Sequence, residues 1–170
     1  MILNRISIDE RPEIVNKRIR PGDLEIDAVI SKGSKHCLQV IVDRVTRHVT
    51  INQLKDKSAN EMMDKAIESL KKMPEEFRKT ITFDNGSENA AHMRLAGLGI
   101  DTYFCHPYHS WEKGSVENII GIIRRYLPKG TNFSKISNEQ IKELERLLNN
   151  RPRKCLNFMT ANEVMKLCTS

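Results

Sequence analysis

The 170-residue sequence contains no apolar run approaching the roughly 18 residues that a membrane-spanning helix needs. Its first stretch, MILNRISIDERPEIVNKR, carries charge too early for a secretory leader. Its four cysteines, Cys37, Cys105, Cys155 and Cys168, form no CxxC pair, so a disulfide framework is not expected. Two of them neighbour a histidine (His36-Cys37 and Cys105-His106). Adjacent strand residues point to opposite faces, however, and zinc sites bring close pairs of ligands from two segments. Buried structural thiols are the expectation there, not zinc. There is no internal repeat, no low-complexity segment and no obvious linker within 24–150. These absences predict one soluble, cytoplasmic domain without a membrane partner.

What is present points to a polyanion. A hydrophobic fraction of 39% can still build a core, and the formal net charge is +6. The cations gather at Lys17, Arg18 and Arg20, at Arg124, Arg125 and Lys129, and at Arg151, Arg153 and Lys154. Each cluster alone reads as solvated surface. Two of them flank one helical region, which favours an anionic partner.

Residues 1–22 are polar and irregular and end in Pro21-Gly22. LEIDAVI (24–30), CLQVIVD (37–43) and HVTINQL (48–54) predict an antiparallel meander. SANEMMDKAIESLKKM (58–73) predicts a helix, with Ser58 and Glu61 as a capping box and Met62, Ala66, Leu70 and Met73 as a core stripe. TITF (80–83) and IDTYF (100–104) read as strands around a helix at 87–99 that Gly97 and Gly99 close. A polar loop, CHPYHSWEKG (105–114), leads to helices at 115–127, 137–150 and 160–168. The order βββ-α-β-α-β predicts an α/β fold, a mixed five-stranded sheet flanked by helices. Residues 1–22 would be an extension and 23–170 the core.

TITFDNGSEN (80–89) puts Asp84 at a strand end. Asp-Asn-Gly is turn chemistry, so Asp84 is a turn residue unless other carboxylates reach it. Asp27 lies inside the first strand, where aspartate is disfavoured and costly to bury. It shares a face with Glu25 and Val29, opposite Leu24, Ile26, Ala28 and Ile30. That face reads equally as wet, and spacing does not choose between Glu25 and Asp27. Glu117 sits in a first helical turn, where it complements the helix dipole. It also lies within about 20° of Arg124 along the edge of an arc formed by Val116, Ile119, Ile120, Ile123 and Leu127. Were the first strand central, the three acids would meet. Each bare pair would repel by about 4 kcal/mol at about 4 Å in an effective dielectric near 20, so the cluster would need cations. All-oxygen ligands suit Mg²⁺ or Mn²⁺, and two such ions serve in-line displacement at phosphorus.

RPGDLEIDAVI, TITFDNGSENAAH, GIDTYFCHPYHSWEKGSVENIIGIIRRYLPKGTNFSKI and LNNRPRKCLNFMTANEV together resemble the catalytic core of DDE transposases. The closest group is the insertion sequence 30 family of bacterial elements, relatives of retroviral-type integrases. The resemblance runs from about residue 8 to about residue 165. It implies a ribonuclease H-like fold and two Mg²⁺ (or Mn²⁺) ions held by Asp27, Asp84 and Glu117 as catalytic acids, choosing Asp27 over Glu25. It implies hydrolysis at transposon ends, then attack of the 3′-hydroxyl on target DNA, near the bacterial nucleoid and by a dimer or larger assembly. No small-molecule substrate is expected. Lys113, Arg124, Arg125, Arg151, Arg153 and Lys154 would hold phosphates, and Tyr108 and Trp111 would stack on unpaired bases. Leu24, His109-Ser110 and Ala161 depart from the family's more usual Trp, Ser-Pro and Pro. The family carries helix-turn-helix regions upstream, and about 20 residues precede the first strand here, so the chain is expected to be trimmed or truncated. The alternatives are a catalytically silent DNA-binding or assembly module of the same fold, and a ribonuclease H-type nuclease acting on RNA–DNA hybrids.

Overall fold

The computed structural model describes residues 2–170. Period-two strands and 3.6-period helices form where their patterns place them, and the pairing of the strands decides which side chains meet. β1 (Asp23–Ile30), β2 (Cys37–Asp43) and β3 (Val49–Leu54) make the antiparallel meander. β4 (Thr80–Phe83) joins β1 in parallel, and β5 (Asp101–Phe104) joins β4 in parallel. The spatial order is β3-β2-β1-β4-β5, so β1 is central and β4 is its neighbour.

Both faces of the sheet are covered. Leu24, Ile26, Ile41, Ile81 and Phe83 pack on Met63, Ala66 and Leu70 of α2 (Ala59–Lys71), numbered after the short α1 (Glu13–Asn16). On the other face Val29, Leu38, Val40 and Val42 meet α3 (Gly114–Tyr126) and α4 (Asn138–Asn149) through Val116, Ile119, Ile123, Ile141 and Leu144. Each such side chain contributes roughly 1.5–3 kcal/mol on full burial. The face bearing Glu25 and Asp27 is therefore roofed by α3 rather than wet.

The helix ends follow their caps, with two differences. Ser137 with Gln140 forms a full capping box on α4, as do Thr160 and Glu163 on α5 (Ala161–Cys168). At α2 only half the expected box forms. Ser58 Oγ accepts from Glu61 N at 3.3 Å, but the Glu61 carboxylate accepts from Lys55 N at 3.1 Å. The single helix expected at 87–99 is two 3₁₀ helices, Ser87–Asn89 and His92–Leu98. Both are tethered sideways: Asn89 bonds the Asp84 carboxylate, and the buried His92 ring bonds Thr102 Oγ1 and Leu3 O, each at 2.9 Å. Short tight turns satisfy these anchors where a continuous α-helix would turn them away.

Residues 2–22 lie along the sheet. Ser7 bridges Phe104 at the edge of β5, Val15 is fully buried, and Arg11 donates to Thr82 Oγ1 at 2.9 Å. This segment covers an edge that would otherwise offer unpaired backbone groups. Among the described residues, no helix is long and apolar enough to cross a membrane.

Glu25 fastens α3 to β1. It is 0% exposed, accepts from Arg44 Nη1 at 2.6 Å, and accepts from Val116 N in the first turn of α3 at 2.8 Å. The helix has no capping side chain of its own, so a carboxylate from the sheet satisfies a first-turn N–H and the positive end of the dipole. Glu25→Gln strands the Arg44 charge in the interior and should cost roughly 3–5 kcal/mol. Chemical denaturation of the variant measures this. A loss below about 1 kcal/mol would mean that the pair does not hold the helix.

Candidate active site

Asp27 and Asp84 stand on adjacent parallel strands, Asp27 inside β1 and Asp84 immediately after β4. One oxygen of each is occupied locally. Asp27 Oδ1 accepts from Ala28 N at 2.7 Å. Asp84 Oδ1 accepts from Gly86 N at 2.9 Å and from Asn89 Nδ2 at 2.8 Å. The other oxygen of each turns to a common point, occupied by the Lys113 ammonium at 2.9 Å from Asp27 Oδ2 and 3.3 Å from Asp84 Oδ2. Asp84 thus both closes its own turn and shares the Lys113 ammonium with Asp27. A Cβ at Gly86 would stand 2.4 Å from Glu88 Oε2, so a larger residue there would push the Glu88 carboxylate aside. Glu88 in turn pairs with Lys57 at 2.7 Å.

Lys113 is 1% exposed, and its third donor goes to Ile26 O at 3.1 Å. Burial opposes its charge, but Asp27 and Asp84 outweigh burial and hold its pKa above the ordinary lysine value. Burial likewise opposes the charge on Lys57, and Glu88, with Asp84 and Asp27 farther off, raises its pKa on balance. Two carboxylates with a free oxygen each, aimed at one cation, are a donor set that fits a hard divalent ion, and the ammonium is a stand-in for it. Glu117 is half-buried in the first turn of α3 and makes no hydrogen bond or ion pair among the described residues. It does not close on the pair. Among the described residues the one set of three ligand atoms within 4.8 Å of one another belongs to His106, His109 and Glu112.

The residues expected to touch DNA divide into two groups. Tyr108 (99% exposed), Trp111 (66% exposed), Arg125, Arg151 and Lys154 face solvent. Three expected phosphate holders are turned inward instead. Lys113 is spent on the acids. Arg124 donates to Ile30 O at 2.9 Å and lies over the Phe133 ring, its pKa lowered by burial. Arg153 is buried, donates to Leu148 O at 3.0 Å, and is lowered in pKa by burial too. Arg153 still borders a cleft of about 360 Å³ with Arg18, Arg47, Gly114, Ser115 and Asn118. Among the described residues no carboxylate lines this cleft. Arg18 Nη1 donates to Ser115 Oγ at 2.6 Å, Arg47 bonds the same oxygen, and burial followed by Arg44 and Arg47 lowers the Arg18 pKa. The charge clusters contained Arg18 and Arg153, but nothing local marks Arg47 as their neighbour. Cys37 and Cys105 are buried free thiols, pushed up to about 11 and about 12 by burial.

No family model matches the chain. It is 49% identical over 166 residues to the transposase for insertion sequence element IS4351 of Bacteroides fragilis, covering 97% of this chain and 51% of that protein. It is 36% identical over 165 residues to the transposase for IS1086 of Cupriavidus metallidurans, covering 96% and 49%. It is 33% identical over 166 residues to transposase InsI for IS30A of Escherichia coli K12, covering 97% and 43%. The similarity to these insertion sequence transposases runs over nearly the whole of this chain. It spans about half the length of the curated relatives it matches. Among solved structures, it resembles a chain of a simian T-cell lymphotropic virus intasome in complex with the PP2A regulatory subunit B56 gamma. The TM-score is 0.67, with 19% identity over 84% of this chain and 54% of that one. The HTLV-2 integrase catalytic core domain in complex with magnesium, a trimeric form, gives a TM-score of 0.64 with 19% identity over 85% and 97%. These likenesses show the fold, which is ribonuclease H-like.

In this chain the acid pair is held together by a lysine from the segment before α3. Lys113→Met removes that cation and leaves two carboxylates facing each other. Stability in metal-free buffer should fall by about 1–3 kcal/mol. Mn²⁺ should then raise the thermal midpoint of the variant more than that of the wild type, since the ion replaces a missing charge. Thermal denaturation with and without Mn²⁺ checks both. An unchanged metal-free midpoint would mean that the ammonium does not hold the pair.

Proposed function

We propose that the chain is the catalytic core of a DNA transposase, a divalent-metal-dependent polynucleotidyl transferase whose acids are Asp27, Asp84 and Glu117. The observation that carries this reading is the meeting of Asp27 and Asp84 on one cation position, in a chain 49% identical to a transposase. The similar HTLV-2 integrase core is in complex with magnesium, which supports a hard divalent ion here, and two Mg²⁺ or Mn²⁺ ions are the complement proposed. When bound, they supply charge to the scissile phosphate and lower the pKa of the attacking oxygen, first water and then a 3′-hydroxyl. Asp27 and Asp84 would hold them through their Oδ2 atoms, and Glu117 would join as a ligand only by turning toward the pair from the first turn of α3. Lys113 keeps the two aspartates converged until it is replaced.

DNA is the substrate, as transposon ends and as target. The cleft of Arg18, Arg47 and Arg153 lies at the N-terminus of α3 and takes a backbone phosphate, where guanidinium donors and first-turn amides add. Tyr108 and Trp111 offer open rings to unpaired bases, and Arg125, Arg151 and Lys154 track the backbone. The protein works in the cytoplasm at the nucleoid, as a dimer or larger assembly. Residues 1–22 are an extension, of which 2–22 lie along the edge strand, and residues 23–170 form the core. A second reading has one observation in its favour. Lys113 fills the cation position while Glu117 stands apart, as a catalytically silent DNA-binding module would have it.

Nicking and strand joining of element-end oligonucleotides in Mg²⁺ or Mn²⁺ separate the readings, with RNA–DNA hybrids as the comparison substrate. Asp84→Asn should bring joining down to background while leaving DNA binding intact. Wild-type turnover in that variant would remove the metal role. Arg47→Ala should weaken DNA binding about equally for all sequences and reduce the slope of log affinity against log salt by about 1. An unaltered slope would take the phosphate out of the arginine cleft.

A further inference from the structure

We propose that His106, His109 and Glu112 form a second metal site, suited to zinc or another borderline transition ion, on the loop between β5 and α3. The site goes beyond the transposase reading and uses none of its three acids. Its side chains are spaced H-x-x-H-x-x-E, and one ligand atom from each lies within 4.8 Å of the other two. The His106 and His109 rings stand edge to face, 5.5 Å apart. His109 Nδ1 is buried and has no hydrogen-bond partner, an unusual state for an imidazole nitrogen. His106 Nδ1 lies 2.7 Å from Glu112 Oε1. Two imidazoles and a carboxylate are a zinc donor set that leaves a fourth position for water, in contrast to the all-oxygen pair of Asp27 and Asp84.

A carboxylate is also in place behind the first ligand. Asp9 Oδ2 lies 2.8 Å from His106 Nε2, which fixes that nitrogen as the proton donor and leaves Nδ1 for the ion. Drawing the ligands in to about 2.0–2.1 Å from an ion asks only for side-chain rotation on a loop whose Pro107, Tyr108 and Ser110 are exposed. The bound ion would pin this loop to the Asp9 segment, one residue before the lysine that bridges the acids.

The test uses Co²⁺ as a spectroscopic probe on chelator-stripped protein, with Zn²⁺ as competitor. Trp111, the one tryptophan of the sequence, sits with its ring 4.4 Å from that of His109 and reports the ion by quenching. One equivalent of Co²⁺ should quench it and give visible absorption typical of tetrahedral coordination, and Zn²⁺ should reverse both. His109→Ala and Glu112→Gln should each weaken Co²⁺ binding about tenfold or more, and Asp9→Asn by roughly 10–100-fold. The double variant Asp27→Asn/Asp84→Asn should bind Co²⁺ here as the wild type does, so failure of the acid-pair reading leaves this result untouched. Should His109→Ala misfold by circular dichroism, His109→Gln takes its place. The proposal is overturned by wild-type Co²⁺ affinity in the folded His109 variant, by loss of the signal in the double aspartate variant, or by no quenching at all.

Discussion

Two carboxylates brought side by side on neighbouring parallel strands repel by about 4 kcal/mol at about 4 Å, even in an effective dielectric near 20. The parallel register of β1 and β4 imposes this meeting on Asp27 and Asp84, and the Lys113 ammonium offsets it. Much else follows from the need to bring that cation back to β1. The chain leaving β5 passes through Lys113 directly into α3, so the residue that bridges the acids immediately precedes the helix. Glu25 then fixes its first turn through Val116 N, and the two anchors together set where Glu117 projects.

Neighbouring acids on one strand face carry opposite duties. Glu25 is fully enclosed, and both its oxygens are spent, on Arg44 and on the helix amide. Asp27, two residues on, lies toward the open end and keeps an oxygen for the cation. The same division runs through the basic residues. Arg124 and Arg153 use their guanidinium groups on carbonyl oxygens, while Arg125, Arg151 and Lys154 remain in water. A long cationic side chain can end inside or outside a protein with little trace in its local sequence.

The strands were legible to within one residue: the run 37–43 is β2 and 80–83 is β4, while β1, β3 and β5 each differ by one residue at the start. The capping box read at Ser58 and Glu61 closed on the serine side only, because the Glu61 carboxylate took Lys55 N instead. The continuous helix expected at 87–99 did not form, because Asn89 is held by Asp84 at the end of β4 and His92 by Thr102 of β5. At the site, the strand-end position of Asp84 and the face of Asp27 could be read from the chain. The inward turn of Lys113 could not, and neither could the company Arg47 keeps or the approach of Asp9 to His106.

The sequence by itself determined the periodicities, the turn chemistry at Asp84-Asn85-Gly86, the excess of positive charge and, through its motifs, the resemblance to insertion sequence transposases. These depend on backbone preferences and on neighbours within about one or two turns. Only the tertiary structure decided which charges neutralise one another. Lys113 lies 86 positions from Asp27 and 29 from Asp84, and the spacing along the chain carries no record of an electrostatic contact set by distance in space.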